Sequence, residues 1–230
     1  AINDKTRPVP NGSLLPPLLY KLQECGLSTR NIQFIIASGT HIPMERFEFS
    51  KILPEKMLKG YPVTCHDCDE VDNLAFLGET KRKTPVYINK QFMNSDHRIV
   101  IGNIEPHHFM GYSGGAKSAA IGLAGRKTIE INHSLLMDER AHIGNYDNNP
   151  IRQDVEDIGN MIGIDLALNA ILNTSKSIIH AIAGDPISIM KAGIPLSKGV
   201  CQVDIHQKYD FVIASAGGYP KDINLYQSQK

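Results

Sequence analysis

The apolar run Ile99-Val-Ile-Gly-Asn-Ile104 passes at once into Glu105-Pro-His-His-Phe-Met-Gly-Tyr-Ser-Gly-Gly-Ala-Lys117, and no other segment limits the folds open to this chain so tightly. A β-branched run that ends in a glycine-rich turn and continues as Ser118-Ala-Ala-Ile-Gly-Leu123 reads as strand, loop, helix. In open α/β sheets, ligands sit at the loops beyond the C-terminal ends of the strands. The segment therefore brings two histidines, a turn whose backbone suits an anion and a primary amine to one point. Few purely structural turns need all three.

The same alternation runs through the chain. Strands are expected at Ile32–Ala37, Val63–Cys68, Pro85–Ile88, Arg98–Asn103, Asp165–Asn173 and Asp210–Ser215. Helices are expected at Pro43–Leu58, Ser118–Gly125, Lys127–Met137, Asn149–Gly163 and, more briefly, Asp185–Gly193. Asn149-Pro150 at the start and Gly163 at the end punctuate the best-defined helix. This order predicts an α/β domain whose mainly parallel sheet is flanked by helices. Ala1-Ile2 reads as the last step of a truncated first strand, and Leu225–Lys230 as the opening of a helix. Residues 1–215 are thus expected to form an N-terminal domain of a longer protein, with 216–230 leading toward a further domain.

Lys plus Arg equals Asp plus Glu at 24 each, so no net field draws nucleic acid or an anionic membrane. The four cysteines form no disulfide framework, which makes a reducing cytoplasm the default location. No apolar stretch has the length of a membrane span.

Four polar clusters follow strand-like or strand-end segments: Asp4-Lys-Thr-Arg7, Ser38-Gly-Thr-His41, Glu105–Lys117 and Gly217-Gly-Tyr-Pro-Lys-Asp222. A parallel sheet gathers such ends on one edge, where distant residues meet. Gly111-Tyr-Ser-Gly-Gly-Ala-Lys-Ser118 departs from a phosphate-binding P-loop at Ala116, where that loop has glycine before its lysine. The turn is then either an anion site of another kind or an ordinary connection to a helix. His41 and His107 suit proton transfer near neutral pH, and two such groups can serve opposite faces of one substrate. His108, His142, His180 and His206 read as structural. Cys65-His66-Asp67-Cys68 lacks the second ligand pair of a structural zinc site. His133 is open to two readings, surface residue or metal ligand. Arg7 is either a bidentate grip on a carboxylate or a surface arginine.

Taken together, Asp4-Lys-Thr-Arg-Pro8, Gly39-Thr-His41, Glu105-Pro-His107, Gly111–Lys117, Asn132-His133, Gly217–Asp222, Tyr226-Gln227 and Lys230 resemble the nickel-pincer lactate racemases and their relatives. The resemblance implies two α/β domains with the site between them. It implies a cofactor, a pyridinium mononucleotide with two sulfur arms that binds nickel and is joined to Lys117 through a thioamide. His133 would be the protein ligand to nickel. Asp4, Thr6, Ser113, Gly114 and Gly115 would line the cofactor, with Arg7, Tyr226, Gln227 and Lys230 on the substrate. His41 and His107 would be the paired acid and base in racemising a small 2-hydroxy acid, lactate by default, through reversible hydride transfer. Cofactor-maturation enzymes are the implied partners, and a fragment alone is expected to be inactive. Two alternatives stand beside this: a phosphate- or nucleotide-binding domain built on the Gly111–Ser118 turn, and a non-catalytic relative.

Overall fold

The structure, a computed structural model, describes residues 1–213, Ser215 and Gly218. β1 (Ile2–Asn3) leads through the Asp4–Arg7 turn into α1 (Asn11–Glu24), a helix the sequence reading does not place. Leu14, Leu15 and Leu19 are its buried stripe. Pro16 and Pro17 sit inside it on the exposed side. The carbonyls their missing N–H groups leave unpaired belong to Gly12 and Ser13, which are exposed to solvent. β2 (Phe34–Ala37) is buried throughout. The single helix expected over 43–58 is two pieces, a 3-10 turn at Arg46–Lys51 and α2 (Glu55–Gly60). Pro54 separates them, because it lacks an N–H and biases Leu53 away from helical geometry.

β3 (Val63–Cys65) is shorter than expected and ends where His66 turns into the core. β4 (Leu74–Glu79) and β5 (Pro85–Asn89) form an antiparallel hairpin, of which the sequence reading places only the second strand. α3 (Lys90–Met93) precedes β6 (Ile99–Asn103). Within the glycine-rich segment, β7 (Pro106–His107) and β8 (Gly111–Tyr112) pair as a small antiparallel ladder. α4 (Lys117–Ala120) is only one turn, half the expected length, and α5 is Arg126–Ser134. α6 (Pro150–Ile162) has the expected ends: the Asn149 side chain accepts from the Ile151 and Arg152 amides, and Gly163 closes it at φ 68°. β9 (Leu166–Leu172), β10 (Ile178–Gly184) and α7 (Pro186–Cys201) follow. α7 runs through Pro195, well beyond the expected Gly193 stop. Residues 210–213 are exposed and form no strand; Phe211, Val212 and Ile213 pair with no other strand among the described residues.

β1, β2 and β3 run parallel, as do β6 and β9. The Ala1 amino group donates to the Ile99 carbonyl (2.6 Å), and the Ile101 amide donates to the Ala1 carbonyl (2.9 Å). This is the slanted parallel pattern, so Ala1, just before β1, ties the three-stranded sheet β3-β2-β1 to the three-stranded sheet β6-β9-β10 in one continuous layer. Only its edge strand β10 is antiparallel. Side chains alternate between the faces. Ile35, Ala37, Val100 and Ala167 meet α4 and α6 on one face. Ile2, Phe34, Ile36, Ile101 and Ala170 meet α1 and the 3-10 turn on the other. This is the expected α/β fold, with the C-terminal ends of β2, β1 and β6 side by side. No helix among the described residues is long and apolar enough to cross a membrane.

Candidate active site

The loops leaving β1, β2 and β6 enclose a cavity of about 300 Å³ with α5 closing its side. It is lined by Asp4, Arg7, His41, His107, Lys117 and His133, which the sequence reading names, and also by His108, Glu105 and Asn103. The volume lies at the low end of small-molecule sites, which span about 300–1,000 Å³. His142, His180 and His206 do not line it.

The Asp4–Arg7 turn closes through the Arg7 amide on the Asp4 carbonyl (3.2 Å) and folds Asp4 inward, 3% exposed. Its Oδ1 accepts from the Thr6 hydroxyl (2.7 Å) and the Thr6 amide (3.1 Å). Its Oδ2 lies 2.8 Å from His41 Nδ1. Burial pushes the Asp4 carboxyl up, but the hydrogen bond and charge of His41, with the two Thr6 bonds, outweigh it and hold the group below the usual carboxylate range. A carboxylate against Nδ1 keeps the proton there and presents the Nε2 lone pair as a base. Thr6 and Asp4 thus orient His41. The loop carrying His41 is tied to the turn after α4 by the Gly39 amide on the Gly122 carbonyl (3.0 Å).

His107 is set differently. Its Nδ1 accepts from the Met110 amide (3.3 Å), which puts the proton of the neutral ring on Nε2. His108 stacks on it with centroids 4.6 Å apart, and Phe109 meets both rings edge-on. The sequence reading leaves His108 as structural; it is a cavity wall, and its place beside His107 in the run was the available signal.

On the far wall, α5 carries His133 against the Phe109 ring at 5.0 Å. Burial, then the Lys117 charge, push the His133 imidazole down to about 4 against the opposing Ile129 carbonyl. The ring is therefore neutral at physiological pH, the form that binds a metal ion. Its Nδ1 is buried without a hydrogen-bond partner, as are Ser113 Oγ and Asn103 Oδ1 on the same cavity. Orphaned buried acceptors and donors at a cavity are what a polar ligand would satisfy. A neutral imidazole beside orphaned polar atoms is a donor set suited to a metal-bearing polar ligand.

The glycine turn is fastened from within. The Ser113 amide donates to the Glu105 carbonyl (2.8 Å), and the Gly115 amide to Asn169 Oδ1 (2.7 Å). The Lys117 amide reaches the Gly114 carbonyl (3.3 Å). These three amides therefore do not form the open anion cradle that the turn's glycines lead one to expect. Gly114 and Gly115 have φ of 94° and 58°, and a Cβ on Gly115 would come 2.8 Å from Met190 and 2.9 Å from Arg152. Their role is the tight turn itself. His66 is not a zinc ligand: Nε2 faces the Ala124 carbonyl (3.0 Å) and Nδ1 the Asn89 amide group (3.2 Å). The Gly217–Asp222 cluster, apart from Gly218, and Tyr226, Gln227 and Lys230 lie outside the described residues.

Fold and site define an α/β domain with a strand-end cleft that joins two differently oriented histidines, a lysine and a neutral imidazole. Residues 1–144 match the family model described as the lactate racemase N-terminal domain. The chain is 32% identical over 230 residues to lactate racemase from Thermoanaerobacterium thermosaccharolyticum, covering 99% of this chain and 54% of that one. It is also 32% identical to lactate racemase from Lactiplantibacillus plantarum, with the same coverage. The structure of the T. thermosaccharolyticum apoprotein superposes with a TM-score of 0.93 at 31% identity over 98% of this chain and 54% of that chain. A Thermotoga maritima protein shares the fold with a TM-score of 0.69 at 24% identity. The chain belongs to the lactate racemase N-terminal domain family and spans about half the length of the curated relatives it matches.

Proposed function

We propose that this chain carries the acid–base and cofactor half of a 2-hydroxy acid racemase or epimerase, with lactate as the default substrate. One observation supports this above the others: His41, His107, Arg7, Lys117 and His133 line a single cavity. Residues 1–215 are taken as the N-terminal domain, with 216–230 leading to the half that completes the cleft.

The Arg7 guanidinium holds the substrate carboxylate and so fixes Cα relative to the two imidazoles. His41, with Nδ1–H on Asp4, takes the hydroxyl proton at Nε2. His107, entering as the imidazolium, gives the proton on its Nε2 on the other side of the substrate and is left neutral. In the reverse direction the two exchange roles. Lys117 would tether the nickel-pincer nucleotide and the neutral His133 would ligate its nickel; when bound, the group supplies hydride acceptance and return. The aromatic wall of Phe109 and the stacked His108 limits water at this point. Tyr226, Gln227 and Lys230 are proposed as further substrate contacts, and maturation enzymes as the partners that load the cofactor.

The test is a racemisation assay of the full-length protein, matured with cofactor, on a panel of D-2-hydroxy acids followed for the L form. Turnover of at least one acid is expected, with His41→Ala and His107→Ala each abolishing it. Full activity in both variants would refute the assignment, and an unmodified Lys117 in matured protein would remove the cofactor from it.

A further inference from the structure

Helix α6 contributes no side chain to the cavity, yet it holds two fully buried charged residues, Arg152 at 1% and Asp154 at 0% exposure. Two residues apart on a helix point to nearly opposite sides, about 200° around the axis. Each is directed at one of the two segments that carry a cofactor-holding residue.

Arg152 faces the glycine turn. Nη1 donates to the Tyr112 carbonyl (3.1 Å) and Nη2 to the Gly114 carbonyl (3.0 Å), while Nε is held by Glu156 (2.7 Å). The Gly114 oxygen is also the acceptor for the Lys117 amide, so the guanidinium grips the atom on which the lysine's backbone rests. A second contact fixes the same point. A Cβ on Gly159 of α6 would lie 2.4 Å from the Ala116 methyl, so helix and turn close on each other at the residue before Lys117. The Ala116 methyl, at the position where a P-loop has glycine, is part of this contact.

Asp154 faces α5. Its Oδ2 accepts from Asn132 Nδ2 (2.9 Å) and the Thr84 hydroxyl (2.8 Å), and its Oδ1 from the Thr80 hydroxyl (2.5 Å). Asn132 Nδ2 also reaches the Ile151 carbonyl of α6 (3.2 Å). Asn132 immediately precedes His133. Among the described residues no lysine or arginine pairs with Asp154. A buried carboxylate held only by neutral donors is costly for stability.

Resting on the reading of Lys117 and His133 given above, we propose that Arg152 and Asp154 are positioning residues that make α6 a rigid spacer between the tether and the metal ligand. Arg152 sets the backbone under Lys117. Asp154, through Asn132, sets the face of α5 from which His133 projects. Partners hydrogen-bonded to a metal-ligating histidine alter metal affinity by about 10–100-fold when removed, and Asp154 acts one step further back, through Asn132 and the α5 backbone.

The test uses full-length protein produced with the maturation enzymes, measuring two quantities separately: the fraction of Lys117 carrying the cofactor, by intact mass, and the nickel retained per cofactor after dialysis against a chelator. Asp154→Asn is expected to keep the Lys117 adduct at the wild-type level and lose nickel at least tenfold faster. Arg152→Met is expected to lower the adduct fraction several-fold. Thr84→Val removes one donor to Asp154 without touching α5; it is expected to lower the melting temperature and leave both readouts at wild type. If Asp154→Asn does not accumulate, Asn132→Ala carries the same test, because it cuts the link to α5 while leaving Asp154 both threonines. Nickel retention at the wild-type rate in Asp154→Asn or Asn132→Ala overturns the proposal, as does equal loss in Thr84→Val. A wild-type protein with bare Lys117 overturns the site reading and this proposal with it, whereas a loaded wild type with unaffected variants overturns the proposal alone.

Discussion

Asp4→Asn is the sharpest perturbation of the proposed chemistry, because it changes one atom type and almost no volume. In the wild type, Asp4 Oδ2 lies 2.8 Å from His41 Nδ1, while Oδ1 accepts from the Thr6 hydroxyl at 2.7 Å and the Thr6 amide at 3.1 Å. The two Thr6 donors select the oxygen of the new amide for their side. The amide nitrogen is then left facing His41, and its N–H donates to Nδ1. The imidazole proton moves to Nε2, so His41 presents a donor where the reaction needs a lone pair. A positioned acid or base contributes about 10²–10⁴ in rate. At about 1.4 kcal/mol per tenfold, that is about 3–5 kcal/mol of barrier. The expected result in matured full-length protein is a fall in kcat of two to four decades with KM changed by less than threefold, since Arg7 keeps its hold on the carboxylate. Nitrogen chemical shifts of His41 should report the tautomer exchange independently. A kcat within threefold of wild type, or a His41 ring that keeps Nδ1–H in Asp4→Asn, would refute the reasoning.

Three further outcomes follow from other contacts of the structure. Acid titration should show Asp4 directly. Its folded pKa lies below its unfolded value, so its stabilisation is full above about pH 4 and is lost as the pH falls through the depressed folded pKa. Urea midpoints should therefore fall more for wild type than for Asp4→Asn between pH 5 and pH 2, and equal falls would count against the His41 pairing. Asn149→Ala removes the cap on α6 and the Asn149 Nδ2 bond to the Phe109 carbonyl (2.7 Å) from a fully buried site. A loss of about 1–3 kcal/mol is expected, read as a lower melting temperature, and an unchanged melt would show that the cap is not needed. Gly122→Ala would bring a Cβ to 2.4 Å from the Ser118 carbonyl and 2.6 Å from the Ala37 methyl. A cost of about 1–3 kcal/mol is expected from overpacking, together with displacement of the His41 loop that Gly122 anchors. Circular-dichroism melts and the His41 resonances measure the two effects, and a fully stable variant would show that this approach is looser than it looks.

The site was legible where chemistry and strand order coincide. Ile99–Ile104 announces β6, and its continuation carries His107, the turn and Lys117 with no tertiary information needed. His41 and Arg7 are legible for the same reason, each within four residues of a strand end whose neighbours in the sheet follow from parallel order. What the sequence hides is how these groups are aimed. Asp4 reads as a site-lining carboxylate, but only the fold across 37 positions turns its Oδ2 onto His41. Arg152 and Asp154 sit in a helix whose ends were plain from Asn149, Pro150 and Gly163, yet a polar residue in an amphipathic pattern is assigned to the solvent side unless its partners are known. Their partners, Gly114 and Asn132, lie 38 and 22 positions away. Local patterns also mislead where a rule about proline is applied without its surroundings. Pro54 does break the stretch 43–58, which continues before it as a 3-10 segment with only Glu48 and Phe49 buried, whereas Pro16, Pro17 and Pro195 are carried inside helices. The difference lies in what the helix gains on its other face: Leu14, Leu15 and Leu19 under α1, and Ile189, Met190 and Gly193 under α7, bury enough surface to outweigh a lost backbone bond. A sequence shows which residues can do chemistry; the helices behind them determine the angle at which they do it.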